Sequence, residues 1–215
     1  MENLFDYLQI SYLSTLVIIV LIRVLYLIIN REINPLALGK GKEKKRLDRI
    51  AEISFSPIIA LWAAEIVRYS FHINISIMPS FFHIKILHSV YAKTIGAVLI
   101  PTGLFIFAWA QVSFGDSWRV GIDNDNPGEL ITKGIFAFSR NPIFVSIDLY
   151  MIGAFLINGT MIFLFTGVLI ILNLHYQITH EEKFLAKNYG QMYQDYCSAV
   201  GRYITFKRLS DKTSR

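Results

Sequence analysis

Residues 134–202 read GIFAFSRNPIFVSIDLYMIGAFLINGTMIFLFTGVLIILNLHYQITHEEKFLAKNYGQMYQDYCSAVGR, and the order of polar and apolar segments in this stretch decides the fold. A polar cluster at Arg140-Asn141-Pro142 precedes two apolar segments joined at Asn158-Gly159. The carboxylate pair Glu181-Glu182 and a run of spaced tyrosines follow. Two crossings of a membrane return a chain to the side it left. Arg140-Asn141-Pro142 and Glu181-Glu182 are therefore expected to face each other across one small volume, the candidate active site.

The rest of the chain supports a membrane setting. Of its 215 residues 53% are hydrophobic and 17% charged, well away from the balance of a soluble domain. The length fits one compact bundle without a separate soluble catalytic domain, so any chemistry must be built from helix ends and short loops. The single cysteine, Cys197, excludes an internal disulfide and argues against a thiolate metal site. The start MENLFDYLQI carries neither a basic n-region nor a small-residue cleavage site, so no removable signal peptide is expected.

Five spans are expected, at about residues 10–29, 50–69, 90–110, 142–157 and 161–176, the last two extending into the interface because they are short. Arg23 lies near enough to the inner end of the first span to snorkel. Between spans one and two, Arg31, Lys40, Lys42, Lys44, Lys45 and Arg46 mark a cytoplasmic loop and place the N-terminus outside. No aromatic interleaving accompanies this basic run, so contact with anionic lipid is expected and nucleic acid is not. Glu65 and Arg68 are expected to pair on one helix face, and Pro101 to kink span three. His72, His83 and His88 lack ligand spacing, so no metal is expected. After span five, Leu185, Tyr189, Tyr193, Tyr196 and Val200 recur at threes and fours as an amphipathic helix. The expected fold is an all-α integral membrane protein of about five transmembrane helices with a cytoplasmic C-terminal amphipathic helix. Residues 1–110 hold three spans and the basic loop, and residues 111–215 hold the catalytic region.

Individual side chains suggest the chemistry. Adjacent carboxylates on a helix point about 100° apart, so one of Glu181 and Glu182 can face a ligand with a hydroxylated or cationic part while the other bridges to a loop. Arg140 and Asn141 precede a proline at a helix mouth, where free N–H groups and a guanidinium suit a carboxylate or phosphate. Asp148, inside span four, faces the bundle as a functional group or as a protonated hydrogen-bonding one. His175, near the inner end of span five, is either a base or an interfacial residue.

The pattern GIFAFSRNPIF, then a glycine-bearing span, then EEKFLAKNYGQMYQDYCSAVGRYI resembles the C-terminal half of the isoprenylcysteine carboxyl methyltransferase and phospholipid methyltransferase superfamily, over about residues 116–206. The resemblance implies an integral membrane enzyme that binds S-adenosyl-L-methionine on the cytoplasmic side. Arg140, Asn141, Pro142, Glu181 and Glu182 would line the cofactor pocket, with Lys133 and Gly134 supplying nearby backbone. Tyr193 and Arg202 would lie close to the cofactor or the acceptor's polar head; the intramembrane Asp148 is a further candidate for binding the acceptor, and Arg140, Glu182 and His175 are the candidate catalytic groups. Asn141 stands where the eukaryotic enzymes have histidine and Phe144 where tyrosine is usual, which points to the bacterial-type branch. Isoprenylated cysteine carboxylate, a phospholipid amine, a small thiol and another lipophilic anion all remain open as acceptors, with isoprenylcysteine-like O-methylation favoured.

Two other readings compete. Membrane sterol and enone reductases share a similar C-terminal architecture but use NADPH, and the acidic turn Asp123-Asn124-Asp125-Asn126 does not suit its extra phosphate. A small transporter or non-catalytic lipid-binding protein would be expected to carry internal repeats, and neither Arg-Asn-Pro nor Glu-Glu recurs in the N-terminal half.

Overall fold

A computed structural model of the chain describes residues 2–31, 46–76, 78–115 and 129–205. The basic run from Lys40 to Lys45, the turn Asp123-Asn126 and the basic tail from Lys207 lie outside the described residues. Five α-helices follow in order: α1 (Glu2–Arg31), α2 (Arg46–Ser70), α3 (Val90–Phe114), α4 (Pro142–Asn158) and α5 (Met161–Ala199). Short 3-10 turns occupy Ser80–His83 and Gly134–Ala137. The protein is all-α, and the β-bridge found among the described residues is an isolated one, Lys85 with Thr160.

Leu4–Arg31, α3 and α5 are long and apolar enough to cross a membrane, and α4 is a shorter apolar helix of 17 residues. At 1.5 Å per residue α4 is about 25 Å long, just under the hydrocarbon thickness. α2 is long enough at 25 residues, but charged residues near both ends dilute its apolar character. Val17, Ile18, Leu21, Ile22 and Leu25 of α1 are exposed, the surface that lipid rather than water would cover.

The helices close into a ring: α3 packs on α4, α4 on α5, α5 on α2, α2 on α1, and α1 on α3. Trp62 of α2 fills the centre, edge-on to Tyr150 of α4 with ring centroids 5.2 Å apart, among Ile66, Ile100, Leu104, Phe163 and Ile170. Bilayer provides no hydrophobic drive between helices, so close backbone packing must hold them. α3 and α4 meet through glycine: a Cβ at Gly96 would lie 2.5 Å from the Gly153 carbonyl oxygen, and one at Gly103 2.7 Å from that of Ser146.

Polar contacts fasten the remaining joints. Pro101 has no N–H for the Ala97 carbonyl one turn earlier, and the Tyr12 hydroxyl of α1 donates to that oxygen at 3.3 Å while α3 runs on unbroken. The buried amides of Gln9 and Asn158 bond each other, tying α1 to the α4–α5 turn. Arg23 donates to the Gly115 carbonyl at the end of α3, a directed contact in place of simple snorkelling. The expected Glu65–Arg68 pair is present at 2.7 Å, and Arg68 also reaches His83 Nδ1 at 2.7 Å. The tail is set off from the span by a break at Gly190, where φ is +51°: Met161–Ala199 holds one helical segment on each side of it, with Leu185 and Tyr189 of the amphipathic stretch before the break and Tyr193 and Tyr196 after it. Only glycine takes that backbone cheaply, so the chain can turn there without a loop.

Replacing Gly153 with Leu is expected to pry α3 from α4 and to destabilise the detergent-solubilised protein by about 1–3 kcal/mol, seen as a lowered thermal midpoint. An unchanged midpoint would contradict the close packing.

Candidate active site

The mouth of α4 is built before the helix begins. Pro142 occupies its first turn, where a missing N–H costs nothing. Asn141 precedes it but does not cap the helix with its side chain; its amide donates instead to the Arg202 carbonyl at 3.1 Å. Residues 200–205 leave α5 through Val200, bend at 202 and 203, and lie along residues 138–141. Arg140 N–H donates to the Gly201 carbonyl at 3.1 Å, and Thr205 N–H donates to that of Phe138 at 2.8 Å. Ser139 Oγ accepts from Asn141 N–H at 3.1 Å and donates to the Arg202 carbonyl at 3.4 Å. Behind this strap, Tyr193, Tyr196 and Val200 form a small core with Leu130, and the Tyr196 hydroxyl donates to the Phe136 carbonyl at 2.7 Å. The tyrosine periodicity of the tail serves this packing.

The strap and the α4 mouth converge on Glu182. Arg140 Nη2 donates to one carboxylate oxygen at 2.8 Å, while Arg202 donates to the other from Nε at 3.1 Å and Nη2 at 2.6 Å. The side chains of Arg140 and Glu182 are 12% and 13% exposed, so solvent screens this pair little. Glu182 is 21 residues beyond Met161, about 30 Å of helix rise, which puts it outside the hydrocarbon. Burial alone would raise its carboxyl; the Arg202 hydrogen bond and the charges of Arg140 and Arg202 outweigh that and hold it below its ordinary range.

Glu181 points elsewhere. It continues the inward stripe Ile170, Leu174 and Ile178 of α5, roughly 100° around the helix from Glu182. Burial, with the neighbouring Glu182 charge adding to it, lifts its carboxyl to about 7. One carboxylate is thus clamped and ionised, and its neighbour is poised near neutrality.

The other predicted residues fall into separate groups. Asp148 keeps one carboxylate oxygen buried without a hydrogen-bond partner among the described residues. His175 Nδ1 meets the Tyr203 hydroxyl at 2.5 Å, with the two rings 21° from parallel. Burial, and after it the Asp148 charge, pushes the Tyr203 phenol up, so Asp148, His175 and Tyr203 form a second polar group next to the clamp. Lys133 and Gly134 are exposed and lie toward α3, where a Cβ at Gly134, whose φ is +64°, would collide with the Ser113 hydroxyl. Tyr193 is buried within electrostatic reach of Glu182 and Arg140. Sequence reasoning missed Ser139, Tyr203 and Thr205, since strap residues follow no helical period.

Chemically, two guanidiniums against one carboxylate leave a mouth that attracts anions, while Glu181 suits an ammonium or a pair of hydroxyls. This is an all-α membrane protein with a charged, largely buried polar cluster at the ends of two membrane helices. Residues 91–192, just under half of the chain, match the phospholipid methyltransferase family. The matched region holds Arg140 and Glu181-Glu182, and the match agrees with the superfamily that the motifs resemble. The family supports a membrane methyltransferase acting on lipid-like substrates. No curated protein matches the sequence.

Glu182→Gln keeps the shape but removes the charge that both arginines share, and should cost about 1–3 kcal/mol of stability. Because the folded carboxyl sits below its ordinary range, the wild-type contribution is complete above the unfolded glutamate range and is lost as pH falls through the depressed value. The wild-type thermal midpoint should therefore converge on that of Glu182→Gln in acid. A constant gap down to strongly acid pH would contradict the clamp.

Proposed function

We propose that the protein transfers the methyl group of S-adenosyl-L-methionine to a lipid-like acceptor at this mouth, with isoprenylcysteine-carboxylate-like O-methylation as the favoured reaction. The observation that carries the reading is the convergence of Arg140 and Arg202 on Glu182, with Glu181 beside them; Arg140, Glu181 and Glu182 lie inside the segment that matches a methyltransferase family, and Arg202 follows it by ten residues. The donor set suits the cofactor. A guanidinium matches a methionyl carboxylate, and a carboxylate matches an ammonium group or a ribose diol.

When bound, S-adenosylmethionine supplies an electrophilic methyl group on a sulfonium. The chain's own residues position and desolvate. Arg140 and Arg202 hold anionic groups, Glu181 takes the cationic or hydroxylated part, and Asn141 and Pro142 keep the mouth in shape, with Lys133 and Gly134 offering backbone at its α3 edge. Asp148, Tyr193, Tyr203 and His175 lie on the acceptor side. Cationic charge disappears in the displacement, so orientation and exclusion of water provide most of the acceleration. A carboxylate acceptor is already a nucleophile, and His175 need not act as a base for it. The tail of the acceptor stays in the bilayer while its head reaches the mouth. Lys183, Lys187, Arg202 and the basic run after α1 fall at one end of the bundle by the count of crossings, which supports a cytoplasmic site and C-terminus with the N-terminus outside.

Incubation of the purified protein in lipid nanodiscs with methyl-labelled S-adenosylmethionine and a farnesylcysteine analogue is expected to give a base-labile methyl ester. Label confined to phospholipid amines would move the acceptor to that class, and no transfer to any lipid would contradict the reading. Ionised Glu181 attracts the cationic cofactor, while its carboxyl is raised to about 7, so cofactor affinity should rise with pH through that value. Glu181→Gln should flatten the rise; an unaltered pH profile would remove Glu181 from the site.

A further inference from the structure

Gln111 lies near the end of α3, is 4% exposed, and has no hydrogen-bond partner for either its amide oxygen or its amide nitrogen among the described residues. Leaving a buried amide unpaired costs on the order of 1–3 kcal/mol, and a leucine of similar size would avoid that cost. None of the roles assigned above uses this side chain.

Helix geometry fixes where it points. Gly96 and Gly103, seven residues apart, face α4, while Ala97 is reached by Tyr12 of α1. At about 100° per residue Gln111 falls between those two directions, into the interior of the ring. Helix register fixes its level. Gly96 lies against Gly153 and Gly103 against Ser146, and past the start of α4 the end of α3 runs along the turn before it, with Ala110 packed on Ile135 and Phe136 and Trp109 near Phe138, so Gln111 lies level with residues 135–138, just ahead of Arg140 in the chain. Across the ring, the buried stripe of α5 ends at Ile178, and Glu181 is the next inward position. Gln111 and Glu181 therefore face the same mouth from different walls.

We propose that Gln111 is a ligand-binding residue of this mouth, and that its amide reads the purine edge of the adenosyl cofactor. This rests on the methyltransferase reading. The anionic part of such a ligand is matched by Arg140 and Arg202, and its cationic and hydroxyl parts by Glu181. What is left is a neutral planar base presenting one donor beside one acceptor. A primary amide is the side-chain group complementary to that pattern, as in glutamine pairing with adenine.

The test compares wild-type protein with Gln111→Leu, full-length and in detergent, by calorimetry with S-adenosylhomocysteine and with its 6-oxo analogue, S-inosylhomocysteine. The wild type should prefer the adenosyl compound. Gln111→Leu should lose roughly tenfold or more in its affinity and show no preference between the two, while the ligand-free variant melts at the wild-type temperature or above it. Unchanged affinity would overturn the proposal. So would an equal loss for both compounds, or a lowered ligand-free melting temperature, which would make the amide a packing group. Failure of the wild type to bind either compound would instead bring down the methyltransferase reading on which the proposal rests.

Discussion

Glu182 accepts from Arg140 and Arg202 at once, and the architecture around the mouth depends on that shared carboxylate. Arg140 arrives at the start of α4, Glu182 at the exit of α5, and Arg202 on the strap that follows α5. The clamp joins them where membrane helices leave the hydrocarbon, so hydrocarbon no longer orders the chain and bulk water does not yet screen its charges. There a charge-assisted hydrogen bond is stronger than at an open surface.

The ring of helices makes such a clamp possible. Glycine contacts between α3 and α4, the Gln9–Asn158 amide pair and the Trp62–Tyr150 plug hold the far end and the middle of the bundle. At the mouth, the Gln111 amide is buried without a hydrogen-bond partner among the described residues. Glu181 and Gln111 both point inward there, and neither is needed to hold the ring closed. Groups that weaken the isolated fold at one place are where a ligand can return the lost stability.

Much of this was legible in the chain. Apolar length located all five helices, and Asn158-Gly159 located the turn that brings Arg140 and Glu182 to one side. The 100° offset between adjacent helical residues also anticipated that one glutamate would bridge while its neighbour faced inward. Other features were not legible. Asn141 looked like a helix-mouth ligand, and its amide also holds the strap; an irregular segment has no periodic signature to reveal that it would return. Tyr203 went unnoticed for the same reason, and its contact gives His175 an address. Gln111 sat in an apolar span where one amide carries no pattern; only the register of α3 against α4 shows which way it faces. The Gly190 break was invisible because the amphipathic period continues through it.

The central claim is that this mouth is an adenosyl-cofactor site, and calorimetric titration of the purified protein with S-adenosylhomocysteine, with NADPH as the parallel ligand, tests it most directly. Saturable binding of the adenosyl compound without binding of NADPH is the result predicted. Binding of NADPH alone, or of neither ligand by a folded sample, would contradict it.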